Sequence, residues 1–145
     1  MAKKRDLEAA EDAAWCQLCD LLSPLDGAKI ERPGLTEEWS VKDLMAHIGG
    51  WAAETVQILE QIRNDTFVPF DYDVDELNRL FVEANRDQPP SVVKAEMAAA
   101  RNRMLEELNL LPELTPTAEE WFRESGPAHY QEHLPRLQEW TRELG

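Results

Sequence analysis

Between Val41 and Ile62, apolar side chains return every three or four residues. Val41, Leu44, Met45, Ile48, Trp51, Thr55, Ile58, Leu59 and Ile62 fall on one stripe, the spacing of an amphipathic helix running to about Arg63. Ser40 is a good N-cap for it. Asp43, three residues on, completes a capping-box-like pattern and places negative charge in the first turn. Val, Ile and Thr rarely alternate with polar residues anywhere in the chain, so no strand is predicted. The apolar surface must therefore be buried helix against helix.

The remaining segments follow the same pattern. From 6 to about 22, Leu7, Ala10, Ala14, Leu18 and Leu21 recur at helical spacing, and Ser23-Pro24 ends the run. Residues 26–38, with Gly27, Pro33 and Gly34, read as a loop. Residues 64–73 form another loop. Residues 73 to about 86 form a short helix with Val74, Leu77, Leu80 and Phe81 on one side. Ser91 is expected to cap the next long helix, whose stripe is Val93, Met97, Ala100, Met104 and Leu108. Thr117 to Glu124 can form one or two turns carrying Trp121 and Phe122. Gly126-Pro127 then starts a last helix with His129, His133, Leu137, Trp140 and Leu144 on one face. Pro135 lies inside it and should kink it just after His133. Four long amphipathic helices, with a long crossover between the second and third over roughly 64–90, predict an all-α four-helix bundle.

Gly49 and Gly50 interrupt the second helix at an intrinsic cost of up to ~2 kcal/mol relative to two alanines. A close approach by a neighbouring helix or a ligand would explain them. So would no special role at all.

The 145 residues suit one domain, 1–145, with one core. No apolar run approaches a membrane span. The basic start, Met1 to Asp6, is followed by no apolar h-region, so a cytoplasmic location is expected. The net charge of −14, with no basic stripe to offset it, predicts that neither nucleic acid nor an anionic membrane is a partner. Cys16 and Cys19 sit inside a helical pattern with no strand before them, which argues against a redox motif. Too few soft ligands accompany them for a metal clip, and reduced, inert thiols are expected.

The chain has three histidines. His129 and His133 are one helical turn apart, with Cβ atoms ~6 Å apart, and can reach one ion. His47 lies one turn after Leu44 and one turn before Trp51, at the edge of the buried stripe. If the two helices are neighbours, three imidazoles can converge and leave coordination positions open, as in catalytic zinc sites. An all-imidazole set suits zinc, nickel, iron or copper better than magnesium or calcium. The competing reading is that each histidine is a hydrogen-bonded packing residue. The zincin pattern is absent, since Tyr130, Gln131 and Glu132 separate the pair. Glu132 is expected on a different face from His133, and Glu54 is expected to be solvated. Trp51 and Tyr130 flank the histidines, either as pocket walls or as core.

The run from Trp39 to Ile48, with Trp51 after it, resembles the second-helix signature of the DinB-like superfamily. That superfamily includes the N-terminal domain of mycothiol-dependent maleylpyruvate isomerase and bacillithiol transferase-like proteins. His129 to Leu137, then Trp140, resembles its last-helix signature. Asp75 to Asn78, followed by the helix at Ser91, is similar to the ClbS/DfsB-like branch. The resemblance implies a four-helix bundle with an unusual order of helix directions. It also implies a divalent metal on His47, His129 and His133. Isomerase-type members often carry a glutamate at one ligand position, where all three positions here are histidine.

Two functions compete. The first is a divalent-metal-dependent enzyme, with zinc or nickel, acting on a small-molecule substrate. Thiol-dependent transfer or isomerisation would use a low-molecular-weight thiol, and hydrolysis would use water. The second is a non-catalytic bundle that binds a small molecule or partner and has a vestigial or structural metal site. In that reading Trp121 and Phe122 could serve a homodimer interface.

Overall fold

In the computed structural model, which describes residues 2–145, seven helices follow one another: α1 (Ala2–Leu22), α2 (Gly27–Glu31), α3 (Val41–Arg63), α4 (Val74–Ala84), α5 (Pro90–Leu110), α6 (Pro116–Ser125) and α7 (Pro127–Leu144). Among the described residues there is no strand, and no helix is long and apolar enough to cross a membrane. The four long helices are α1, α3, α5 and α7. The crossover between α3 and α5 carries α4.

Local chemistry sets the boundaries. Ser40 and Asp43 form a reciprocal capping box: the Asp43 amide donates to Ser40 Oγ, and the Ser40 amide donates to Asp43 Oδ2 at 2.9 Å. Asp26, Asp73 and Thr115 cap α2, α4 and α6 with their side chains. The segment expected as a loop over 26–38 therefore begins with a short helix, because Asp26 accepts from the Lys29 amide. The long helix α5 is not capped by Ser91. Pro89 is its N-cap and Pro90 its first residue, where the missing N–H costs nothing. α7 continues through Pro135 to Leu144.

α3 is the central element. It packs most extensively on α5 and also touches α2, α4, α6 and α7, while α1 packs chiefly on α7. Its first two turns, Val41 to Ile48, are buried at every position but Asp43, which is half-buried. One apolar cluster joins α1, α2, α3, α5 and α7 through Leu18, Ile30, Met45, Met97 and Leu137. A second joins α3, α5 and α6 through Leu59, Met104, Leu108 and Phe122.

Gly49 and Gly50 both have a packing role. A Cβ at Gly49 would lie 3.1 Å from the Met97 Cα, so α5 crosses α3 there at close range. A Cβ at Gly50 would lie 2.2 Å from the Phe81 ring, so Gly50 is the seat on which α4 rests. Lys42 is buried and donates to the Arg86 carbonyl at 2.8 Å, tying down the segment that follows α4. The face that α4 turns inward is Leu77, Asn78, Phe81 and Val82. Val74 and Leu80, expected on that face, are exposed, because α4 is covered on one flank only.

The α1 stripe also differs from expectation. Leu22 is buried where Leu21 was expected, and Glu11 takes the place expected of Ala10. Glu11 is 0% exposed. It accepts two hydrogen bonds from Arg101 of α5, at 2.6 and 2.8 Å, and a third from the Tyr130 hydroxyl of α7, at 3.0 Å. Three helices thus meet on one carboxylate, and the fork-to-fork geometry with arginine offsets its desolvation. Burial and the neighbouring carboxylate hold the Tyr130 phenol well above its ordinary range.

Removing the carboxylate strands the Arg101 guanidinium. Glu11→Ala should cost about 3–5 kcal/mol in urea denaturation, and the paired change Glu11→Leu with Arg101→Met should cost clearly less. Gly50→Ala should displace Phe81 and loosen α4, costing about 1–3 kcal/mol and raising amide exchange in α4 above that in α5.

Candidate metal centre

The capped start of α3 places His47 two turns into the helix, on the side facing α7. α7 presents His129 and His133 one turn apart on the same side as Leu137 and Trp140. The three imidazoles meet. Each has a ring nitrogen within 4.8 Å of the others'. The Nε2 atoms of His47 and His129 are 2.8 Å apart. Ring centroids are separated by 4.7 Å (His47–His129), 4.9 Å (His129–His133) and 5.2 Å (His47–His133). His47 and His129 are each 6% exposed, and His133 is half-buried.

All three rings are held neutral. Burial, and then the nearby His133, push His47 down to about 4, with the Asn78 side chain opposing. Burial, then His47 and His133, push His129 down to about 3, with the Ser125 carbonyl opposing. Burial lowers His133, and Glu132 opposes. A neutral imidazole is the form that ligates metals.

The donor set fits a divalent cation. The Nε2 atoms of His47 and His129 meet, while Nε2 of His133 and the opposite nitrogens, Nδ1 of His47 and Nδ1 of His129, are buried without a hydrogen-bond partner. Orphaned buried nitrogens of this kind call for an occupant or a donor.

The histidines form the floor of a cavity of about 710 Å³. Trp39 and Trp51 stand beside them, with the Trp39 ring 4.7 Å from His47. The Trp51 indole N–H donates to Asn78 Oδ1 at 2.7 Å, which fixes the amide next to His47. The far wall comes from the segment between α3 and α4, with Phe67, Phe70 and Tyr72, and from one face of α6. Thr55 and Ser125 share a buried hydrogen bond of 2.6 Å, pinning the end of α6 to α3.

Several expectations change at this point. Trp51 walls the cavity, whereas Tyr130 belongs to the core through Glu11. Glu132 lines the same cavity as His133, because the mouth is wider than one helix face. Phe122 is fully buried and so cannot serve a dimer interface, while Trp121 lies against Phe70. Glu54 is half-buried and lies outside the cavity lining. Asn78, Phe70, Tyr72 and the outer face of α6 were not anticipated as site residues. The α6 face was readable as Thr117, Glu120, Trp121, Glu124 and Ser125 at helical spacing. The 67–72 segment carried only the signal of three aromatic residues in a loop. Cys16 and Cys19 are both free thiols.

Comparison with known proteins bears on the family and the fold. The family described as the mycothiol maleylpyruvate isomerase N-terminal domain matches residues 12–143. Curated proteins give no match. Three solved structures share the fold. An uncharacterised protein from Escherichia coli UTI89 aligns with a TM-score of 0.80 at 19% identity, over 97% of this chain and 93% of its own. The sibling lethal factor precursor DfsB aligns at 0.82 and 14%, over 97% and 96%. The colibactin self-resistance protein ClbS, solved in complex with a dsDNA, aligns at 0.82 and 14%, over 94% of both chains.

The ClbS complex overturns the exclusion of nucleic acid drawn from net charge. A sum over the whole surface does not describe the groups at one contact, and it is those groups that meet phosphates.

The lowered histidines have a consequence for stability. Between pH 6.5 and about 4 the unfolded chain takes up protons on His47 that the folded chain refuses. The contribution is therefore complete above 6.5 and is lost as the pH falls toward 4, on the order of 3 kcal/mol for His47 at about 1.4 kcal/mol per unit. Melting temperatures of chelator-treated protein should fall across that window, and a His47→Gln variant should show a flatter slope.

Proposed function

Because the chain belongs to the mycothiol maleylpyruvate isomerase N-terminal domain family, within the DinB-like superfamily and alongside DfsB and ClbS, we propose that it is a divalent-metal-dependent enzyme acting on a small molecule at His47, His129 and His133. The observation that carries this reading is the meeting of three neutral ring nitrogens, within 4.8 Å of one another, on the floor of a solvent-open cavity. Zinc and nickel are among the ions that an all-imidazole set suits.

An ion held there supplies Lewis acidity to a thiol or to water, the chemistry of thiol-dependent transfer or isomerisation in the one case and of hydrolysis in the other. The chain's own residues do the rest. Burial keeps the imidazoles unprotonated at neutral pH, so they offer lone pairs rather than protons. Asn78, anchored by Trp51, stands near His47, and the Ser125 carbonyl one turn back stands near His129, the places of outer partners that would orient the two ligands. Trp39 and Trp51 supply apolar surface on the same lining as the histidines. Glu120, Glu124 and Glu132 are the carboxylates on the lining, all at its exposed edge.

Metal analysis of protein purified without a histidine tag tests the proposal. Near-stoichiometric zinc or nickel is expected, lost in His47→Ala. Added zinc at a hundred times its dissociation constant should raise stability by about 2.7 kcal/mol in the wild type and not in the variant. Absence of metal after incubation with both ions would overturn it.

A further inference from the structure

The cavity above the histidines has a second chemical character, carried by residues that hold no metal. Six aromatic rings line it: Trp39, Trp51, Phe67, Phe70, Tyr72 and Trp121. All but Trp39 are linked by ring contacts. Phe70 lies nearly parallel to Trp121, at 6.4 Å and 22°. Tyr72 touches Trp121 at 5.6 Å, Phe70 at 5.3 Å and Trp51 at 6.0 Å. No lysine or arginine is among the lining residues, whereas Glu120, Glu124 and Glu132 are.

α6 explains the combination. Ala118 and Phe122 point into the core, so the opposite face, with Glu120, Trp121 and Glu124, must face the cavity. Two carboxylates thus flank an indole one turn apart. On the floor, Nε2 of His133 is buried without a hydrogen-bond partner, and a ring nitrogen of each of the other two histidines lies within 4.8 Å of it or of its other nitrogen.

We propose that the cavity admits an organic cation with a flat apolar body, an arylammonium or similar base, with its charge held at the mouth between the aromatic faces and Glu120 and Glu124. This rests on the reading of the cavity as the substrate's route to the three histidines. Aromatic faces carry negative quadrupole potential and attract ammonium groups. Carboxylates at the rim add to that attraction and repel anions, an effect that salt screens. A bound divalent ion would reverse the preference only at the floor, where it would favour a neutral or anionic donor atom. The occupant is therefore polarised along the cavity, with a donor group inward and a positive charge outward. A carboxylic acid such as maleylpyruvate would find no ammonium or guanidinium partner on the lining.

Three probes of similar shape separate the possibilities: phenyltrimethylammonium, its neutral isostere tert-butylbenzene, and benzenesulfonate. Binding is followed by tryptophan fluorescence and calorimetry on chelator-stripped and zinc-loaded protein, with metal content measured on the same samples. The cation should bind roughly tenfold more tightly than the neutral isostere, the factor that a cation–π contact of about 1.4 kcal/mol gives, and the sulfonate most weakly in stripped protein. Glu120→Gln with Glu124→Gln, both exposed positions, should remove most of the charge preference without shifting the melting temperature. Trp121→Ala should weaken both arenes. A neutral isostere that binds as well as the cation, or a sulfonate that binds as tightly in stripped protein, overturns the proposal. Cation preference without metal would count against the metal reading alone. Metal without cation preference would count against this one alone.

Discussion

The start of α3 leaves almost no face for solvent, and the rest of the molecule is arranged to cover it. A helix buried nearly all round must be enclosed by neighbours that also satisfy its polar groups. α2, α5, α6 and α7 supply the enclosure, and α4 closes the remaining side by resting Phe81 on Gly50. His47 is buried for that reason and no other. A polar ring in such a place must find partners. The groups that stand beside it are the Asn78 side chain of α4 and two more imidazoles from α7, so the packing requirement and the chemistry of the site have the same origin.

The all-helical character and the positions of the four long helices were legible because their stripes are long and periodic. The Ser40 capping box was legible because its chemistry is local. The convergence of His47 with His129 and His133 was legible as a possibility from spacing and became definite once α3 and α7 were seen to adjoin. Other features depend on tertiary partners and were not legible. Glu11 occupies an apolar stripe because Arg101, ninety residues away, satisfies it. Leu80 and Val74 are exposed because nothing covers the outer side of α4. Phe70 and Tyr72 join the site because a loop of ordinary composition folds back over α3 and α6, a choice made by packing and not by periodicity.

Net charge misled for a related reason. The value of −14 describes the molecule seen from beyond a Debye length. One of the solved structures that share the fold is bound to dsDNA. At contact distance, what matters is which side chains stand at the mouth of the cavity and which are already spent on partners, such as Arg101 on Glu11 and Arg136 on the Gly34 carbonyl and Glu143.

The two faces of α6 belong to different problems. Ala118 and Phe122 answer to the core, while Thr117, Glu120, Trp121 and Glu124 answer to whatever enters the cavity. Substitutions on the second face leave the first untouched, and the aromatic segment before α4 is likewise outside both apolar clusters. Descendants of such a chain can therefore change diet without changing skeleton. Divergence to 14% identity with the backbone retained is the outcome that such a separation allows.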